Sequence, residues 1–306
     1  MLIVAALLMI GYWLLVSPPL RYPTGDLIVI ARGDSAVQVA DELAQERVVR
    51  SAVAFKYLLR LTGVSAHIHP GSYRLTKPEN AFTIASRIGA GAFGIPPTRL
   101  TFAEGETVRD MAAKISTAFP TITESDFITA AGPYEGYLFP DTYLFPPDAT
   151  ADSIVQAMRD NFEAKITPLM PAISASGHTL SDIIIMASLI EKEARTSDSR
   201  RMVSGILWNR IKDGMPLQVD AVFGYIFHRS TYAPSFADLS VASPYNTYLH
   251  TGLPPGPIDN PGLDSITAAI EPAQTDDLYY LTGKDGRMHY ARTYAEQLAN
   301  QRLYLR

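Results

Sequence analysis

Two glutamates near the end of one amphipathic stretch are the residues best placed for chemistry. At about 100° per residue, Glu193 lies at the edge of an apolar helix face whose members are Ile183, Met186, Ala187, Ile190 and Ala194. No cation stands three or four positions from Glu193, whereas Glu191 has Arg195 four positions later for a helix-surface ion pair. A carboxyl held against apolar surface without a cation has a raised pKa, which suits a general acid. The pattern therefore favours Glu193 as an acid, and the alternative is a solvated glutamate at a frayed helix end.

A helical hairpin is predicted to position these glutamates. Thr179 followed by Asp182 three residues later forms a capping box, so the first helix should begin there. The second helix is predicted from about Ser199 to Lys212, and Gly214 ends it.

The sequence offers little for metal, thiol or serine chemistry. It contains no cysteine, no GxSxG, no HExxH and no GxxxxGK[ST] motif, and its six histidines are scattered. No metal and no other cofactor is therefore predicted. Carboxylate chemistry in a cleft lined by aromatic and amide groups remains, and it points to glycosidic bonds.

The composition predicts a globular α+β protein of one large domain or two. The chain has 306 residues, of which 47% are hydrophobic, and its formal net charge of −5 argues against nucleic acid as a partner. A strand, a Gly-acid-hydroxyl turn and an amphipathic helix follow one another at residue 27 and again at residue 99. This order resembles the small βααβ glycan-binding module called LysM. We expect a LysM-like domain at 26–95 and a larger mixed α+β catalytic domain at 97–306.

Residues 1–20 have the character of a transmembrane helix. Residues 1–16 carry no charge, and the segment just reaches the ~17–25 residues that a bilayer-spanning helix needs. A retained signal anchor is favoured over a cleaved signal peptide because no small-x-small site precedes Pro18 and the aromatic pair at 12–13 suits a membrane interface. We expect a single-pass protein of the plasma (inner) membrane with its catalytic domain on the extracytoplasmic side.

Proline-stiffened loops after the hairpin carry polar and aromatic side chains. These side chains are Gln218, Asp220, Tyr245, Asn246 and Tyr248. Such loops provide a hydrogen-bonding wall for a polar ligand, and the alternative is that the prolines only brace connections. An earlier aromatic-rich stretch at 135–144 contains Glu135 and Asp141, and it suits either sugar stacking or a rigid packed turn.

Several motifs together resemble the endolytic murein transglycosylases of the YceG/MltG-like family. They are MASLIEKEA at 186–194, EGYLFPDTY at 135–143, LQVD at 217–220, SPYNTY at 243–248 and GLPPGPIDNPG at 252–262. Their order and spacing agree with the family, and the resemblance covers nearly the whole chain. Two features depart from it: no basic residue precedes the apolar segment, and Ala194 stands where a hydroxyl residue is more usual.

The resemblance implies a membrane-anchored enzyme that cuts nascent peptidoglycan strands internally, in the neighbourhood of peptidoglycan synthases. In such enzymes one glutamate protonates the glycosidic oxygen between N-acetylmuramic acid (MurNAc) and N-acetylglucosamine (GlcNAc). The same glutamate then acts as a base while a 1,6-anhydro ring closes. Glu193, followed by a small residue, fits that role better than Glu191, which takes a supporting or ion-pair role. The motifs place in the glycan cleft the residues Gln218, Asp220, Tyr245, Asn246 and Tyr248, with Glu135 and Asp141 helping to shape it.

Two other functions remain open from the sequence. One is a non-catalytic glycan-binding scaffold of the cell-wall synthesis machinery, in which Glu193 is only structural. The other is a hydrolase that delivers water through a second carboxylate such as Glu191, Asp220 or Asp141.

Overall fold

The chain folds into two compact units that mix helices with short strands. The computed structural model describes Met9 and residues 11–31, 33–229 and 233–305. The first unit extends to Thr98 and includes Leu144–Ala149, and the second contains Arg99–Tyr143 and the chain from Thr150 onward. The mixed α+β class agrees with the expectation from the sequence. The return of Leu144–Ala149 to the first unit has no counterpart in the predicted domains.

From Leu27 onward the described part of the first unit packs three helices around a two-stranded antiparallel sheet. Its elements are β1 (Leu27–Ile30), α1 (Ala36–Gln45), α2 (Ala52–Leu61), a 3₁₀ turn (Val64–Ala66), β2 (Gly71–Arg74) and α3 (Ala81–Ala90). Ile28 pairs with Tyr73 in the register of the sheet. Alternation along β1 places Ile28 and Ile30 in the core and leaves Leu27 and Val29 exposed, as expected for a sheet with one buried face.

The second unit is mainly helical. Its helices are α4 (Val108–Ala118), α5 (Glu124–Ala131), α6 (Ala151–Ile166), α7 (Met170–Ser176), α8 (Leu180–Glu193), α9 (Ser197–Lys212), α10 (Ala221–Ile226), α11 (Leu263–Ile270) and α12 (Tyr294–Tyr304). Its 3₁₀ turns are Gly132–Tyr134, Thr167–Leu169 and Asp238–Ser240. Strands β5 (Tyr279–Thr282) and β6 (Met288–Ala291) form an antiparallel hairpin. A further two-stranded sheet is formed by β3 (Thr98–Thr101) and β4 (Thr142–Phe145).

Helix α8 is the central helix of the second unit. Its capping box is present as predicted, with the Thr179 hydroxyl and the Asp182 carboxylate each bonded to the other's backbone amide. Every residue from Ile183 to Ile190 is buried, so the one-sided apolar face predicted from periodicity was too narrow. The helix ends at Glu193, because Ala194 has the extended backbone angles φ −135° and ψ 144°.

The expected membrane anchor at residues 1–20 falls partly outside the described residues, since positions 1–8 and 10 are not among them. Within the described ranges no single helix is both long and apolar enough to cross a bilayer. One bent pair passes that test, and only by its combined length and composition. Its first arm is Ala151–Ser176, which contains α6 and α7, and its second arm is α8 (Leu180–Glu193), at an angle of 102°.

Candidate active site

A cleft of about 530 Å³ lies in the second unit at the end of α8. Its lining comes from the beginning of α4, the turn after α5, the end of α8, and α10 with the residues that follow it. Its lining residues are Thr107, Val108, Arg109, Asp110, Ile128, Gly132, Glu135, Lys192, Glu193, Asp220, Ala221, Gly224, Tyr225, His228, Arg229 and Ile258. The cleft therefore contains Glu193, Glu135 and Asp220 among the predicted site residues.

Glu193 is the last residue of α8; it is half-buried and lines the cleft. The Tyr280 hydroxyl donates a hydrogen bond to Glu193 Oε2 at 3.1 Å. Burial raises the pKa of Glu193 to about 7, and the negative charge of Asp220 acts in the same direction. The Tyr280 hydrogen bond and the backbone amide of Ala221 lower the pKa, but they do not outweigh burial. Glu193 is thus an acid that can be protonated or charged near neutral pH.

Tyr280 is the principal site residue that the sequence analysis missed. It lies in β5, 87 positions from Glu193, and no motif or periodicity links the two. Burial raises the pKa of Tyr280 well above its ordinary value, with the charge of Glu193 as the next cause. The hydroxyl therefore stays protonated and serves as a donor. Gln297 of α12 fixes the strand by donating from Nε2 to the Tyr280 carbonyl at 3.0 Å.

Glu135 is a second carboxyl of the cleft with a raised pKa. Its two oxygens accept from the Val108 amide at 3.0 and 3.2 Å, and Oε1 also accepts from Asn260 Nδ2 at 3.0 Å. Burial raises the pKa of Glu135 to about 7 despite these hydrogen bonds, and the charge of Asp110 adds to the rise. Glu135 thus joins the start of α4 to the segment that carries Asn260, which is a cleft-shaping role.

Asp220 and Tyr248 form a hydrogen-bonded pair near Glu193. The Tyr248 hydroxyl donates to Asp220 Oδ1 at 2.5 Å, and Asp220 is exposed to the cleft. Burial raises the pKa of Tyr248, and its bond to Asp220 acts in the same direction. Asp220 thus offers a carboxylate to the cleft beside the candidate acid, and Tyr248, which is not among the lining residues, holds it in place.

Arg210 holds the loop that carries Gln218 and Asp220. This buried guanidinium donates from Nε to the Leu278 carbonyl at 2.6 Å and from Nη1 to the Leu217 carbonyl at 2.9 Å. It also donates to Gln218 Oε1 at 3.2 Å. Gln218 is exposed and has a left-handed backbone with φ of 53°, but it is not among the residues that line the cleft.

Asn246 was predicted to line the cleft, but it is not among the lining residues. It is fully buried, and its Nδ2 donates to the carbonyls of Leu239 and Val241 at 3.0 and 2.9 Å. These carbonyls lie at the 3₁₀ turn Asp238–Ser240 and need a donor, which the Asn246 amide supplies. Tyr245 lies behind the cleft, with its ring centroid 5.0 Å from that of the cleft residue Tyr225.

Glu191 belongs to a buried ion-pair network. Its Oε1 accepts from Arg200 at 2.7 Å, and its Oε2 accepts from the Gly262 amide at 3.0 Å. The pairing with Arg195 predicted from helix spacing was therefore wrong, because the first turn of α9 brings Arg200 closer. Arg200 also binds Asp264 at 2.7 Å, so the network ties α8, α9 and α11 together.

Asp141 lies away from the cleft lining, at the entrance to β4. It is exposed and accepts from the Thr142 amide at 2.7 Å and from Asn161 at 3.1 Å. Its oxygens are thus used in a turn. Across the described ranges no group of three or more His, Asp or Glu side chains is placed to hold a metal ion.

Comparisons of the whole chain with known proteins indicate its family. The sequence profile of the YceG-like family matches residues 28–303. A protein of Bacillus subtilis (strain 168) named endolytic murein transglycosylase is 30% identical over 305 residues, covering 91% of this chain and 84% of the relative. A Streptococcus pneumoniae protein of the same name is 32% identical over 182 residues, which is 56% of this chain and 33% of that protein.

A solved structure shares the fold. The crystal structure of a putative YceG-like protein from Listeria monocytogenes superposes with a TM-score of 0.62 at 28% identity, covering 90% of this chain and 99% of that one. The family match over most of the length and the shared fold lead to one conclusion: the chain belongs to the YceG-like family.

Proposed function

We propose that this chain is a peptidoglycan lytic transglycosylase that cuts inside glycan strands at the bond between MurNAc and GlcNAc. The observation that carries the proposal is Glu193, an acid with a pKa near 7 held in a cleft by the Tyr280 hydroxyl. The relatives named endolytic murein transglycosylase support the same reaction class.

The reaction uses one carboxyl in two steps. Protonated Glu193 gives its proton to the glycosidic oxygen as the bond from C1 of MurNAc to that oxygen breaks. The resulting carboxylate takes the proton of the C6 hydroxyl of the same MurNAc. The C6 oxygen bonds to C1 at the same time, and this closes a 1,6-anhydro ring. No water is consumed and Glu193 ends protonated, so a pKa near the working pH serves both steps.

A hydrolase is the second candidate, and Asp220 is the observation in its favour. Asp220 lines the same cleft, and its charge raises the pKa of Glu193, so the two carboxyls are close enough to interact. An inverting hydrolase needs a second carboxylate to activate water. The other two carboxylates considered for this role fit less well, because Glu191 is committed to Arg200 and Asp141 is used in a turn outside the cleft.

Cleavage in water enriched in ¹⁸O distinguishes the two reactions. Purified glycan strands are incubated with the enzyme, and the new ends are weighed by mass spectrometry. We expect fragments with 1,6-anhydro-MurNAc ends that contain no added ¹⁸O. Reducing ends carrying one ¹⁸O would establish the hydrolase, and strands left intact would favour the glycan-binding scaffold.

We further propose that residues 1–20 anchor the chain in the plasma membrane, that the first unit is LysM-like, and that the enzyme trims or terminates strands as peptidoglycan synthases extend them. The apolar sequence at 1–20 and the strand-helix-helix-strand order from β1 to β2 support these assignments. Membrane fractionation with and without residues 1–20 tests the anchor, since removal should release the protein to the soluble fraction.

A further inference from the structure

A second groove continues from the active-site cleft. It has a volume of about 540 Å³ and shares Arg109, Asp110 and Lys192 with the cleft, so the two form one continuous surface. Beyond the shared residues it is lined by charged groups that include Lys114 and Glu124. This composition differs from a glycan-binding wall, which is built mainly from aromatic and neutral hydrogen-bonding side chains.

Most of these charged groups already have partners. Lys114 forms an ion pair with Glu106, and Asp110 accepts from the Thr107 hydroxyl at 2.8 Å in the capping box of α4. Lys192 Nζ lies 3.8 Å from the buried carboxylate of Asp259.

Two charged side chains of the groove have no partner among the described residues. The side chains of Arg109 and Glu124 are exposed, and neither makes a hydrogen bond or ion pair within the part of the chain that the structure describes. Arg109 lies where the groove meets the cleft. Glu124, on the first turn of α5, lines the groove but not the cleft. A ligand that runs outward from the cleft would meet a free cation first and a free carboxylate second.

We propose that this groove receives the peptide stem of the strand that is being cut. Arg109 binds a stem carboxylate and Glu124 binds the amine of the diamino acid farther along the stem. The inference rests on the proposed function, because it takes the MurNAc residue at Glu193 as the point from which the stem branches.

The chemistry of the stem matches the order of the free charges. The stem leaves the lactyl group of MurNAc, next to the bond that would be cut, and it presents a carboxylate before the amine of its diamino acid. A guanidinium binds carboxylates with two parallel hydrogen bonds, which makes Arg109 a fitting first contact. A volume of about 540 Å³ is within the range of clefts that hold drug-sized ligands, which leaves room for a few residues of the stem.

The test compares strands that keep their stems with the same strands after an amidase has removed them. The full-length protein is assayed for kcat/KM on both, and the ratio of the two values is the readout. We expect the wild type to favour stem-bearing strands. Arg109→Gln should lower the ratio about fivefold, as for a partly screened charge-assisted hydrogen bond. Arg109→Lys, which keeps the charge, should restore most of the wild-type ratio.

A second comparison isolates the amine. Acetylation of the stem amine should lower the ratio for the wild type, and Glu124→Gln should make the enzyme insensitive to acetylation. The matched controls are Arg302→Gln on α12 and Glu163→Gln on α6, two exposed residues that line neither the cleft nor the groove.

Equal rates on both strands in the wild type, or ratios that Arg109→Gln and Glu124→Gln leave unchanged, would overturn the inference. If the wild type cuts neither strand, the proposed function fails, and binding of the two strands to the Glu193→Gln chain decides the inference instead. Tighter binding of the stem-bearing strand, weakened by Arg109→Gln, supports it, and equal binding overturns it.

Discussion

Replacing Tyr280 with phenylalanine tests whether this tyrosine sets the proton affinity of Glu193. The change keeps the ring and removes only the hydroxyl that donates to Glu193 Oε2 at 3.1 Å. That hydrogen bond stabilises the charged carboxylate, and its loss should therefore raise a pKa that burial has already brought to about 7. A hydrogen bond of this kind contributes about 1–1.5 kcal/mol, which corresponds to about one pH unit.

The dependence of kcat/KM on pH is the assay for this prediction. The first step requires protonated Glu193, so activity should fall as the pH rises through the pKa of Glu193. In Tyr280→Phe this fall should move to higher pH by about one unit. The maximal rate should also drop, since the carboxyl loses the contact that orients it.

The neighbouring Tyr279 provides a matched control. It lies in the same strand but does not bond to Glu193, and Tyr279→Phe should leave the pH profile in place. A Tyr280→Phe profile that stays unmoved, or that shifts to lower pH, would contradict the role given to Tyr280.

Three other variants test the site and its supports. Glu193→Gln should leave stability unchanged near pH 4 and raise it by up to about 3 kcal/mol above pH 7, because a wild-type carboxyl whose pKa rises from 4.5 in the unfolded chain to about 7 in the folded one destabilises the fold as it ionises across that interval; urea unfolding at both pH values measures this, and equal effects would contradict it. Asn246→Ala should lower the free energy of unfolding by about 2 kcal/mol, since it leaves the half-buried carbonyls of Leu239 and Val241 without their donor; an unchanged stability with weaker strand binding would instead favour a ligand-contacting role. Arg210→Lys should lower the free energy of unfolding by about 3 kcal/mol in the same assay, because an ammonium cannot reproduce the guanidinium contacts to Leu278 and the 216–218 loop. A loss under about 0.5 kcal/mol would contradict the role of Arg210 in holding this loop.

The features that the sequence predicted correctly are those determined locally. The capping box at Thr179 and Asp182 involves residues three positions apart, and the structure forms it as predicted. The raised pKa of Glu193 was also predicted from the helix that carries it, and burial raises that pKa to about 7. Local spacing sufficed in both cases because the interacting groups lie within one or two turns.

The features that it missed depend on contacts between distant segments. Tyr280 reaches Glu193 across 87 positions, and Glu191 pairs with Arg200 of the next helix instead of Arg195 of its own. Asn246 has a side chain of the type that binds polar ligands, but it is buried and its amide is used by the backbone of the preceding 3₁₀ turn. Side-chain type alone does not distinguish a polar group that faces a cleft from one that satisfies buried backbone.

The most direct test of the central claim is cleavage by Glu193→Gln measured in a single turnover beside the wild type. Glu163→Gln, which alters an exposed glutamate outside the cleft, serves as the control. We predict that Glu193→Gln still binds glycan strands and keeps its fold but produces no new ends, whereas the control cuts at the wild-type rate. Continued release of fragments by a folded Glu193→Gln protein would show that another group supplies the proton.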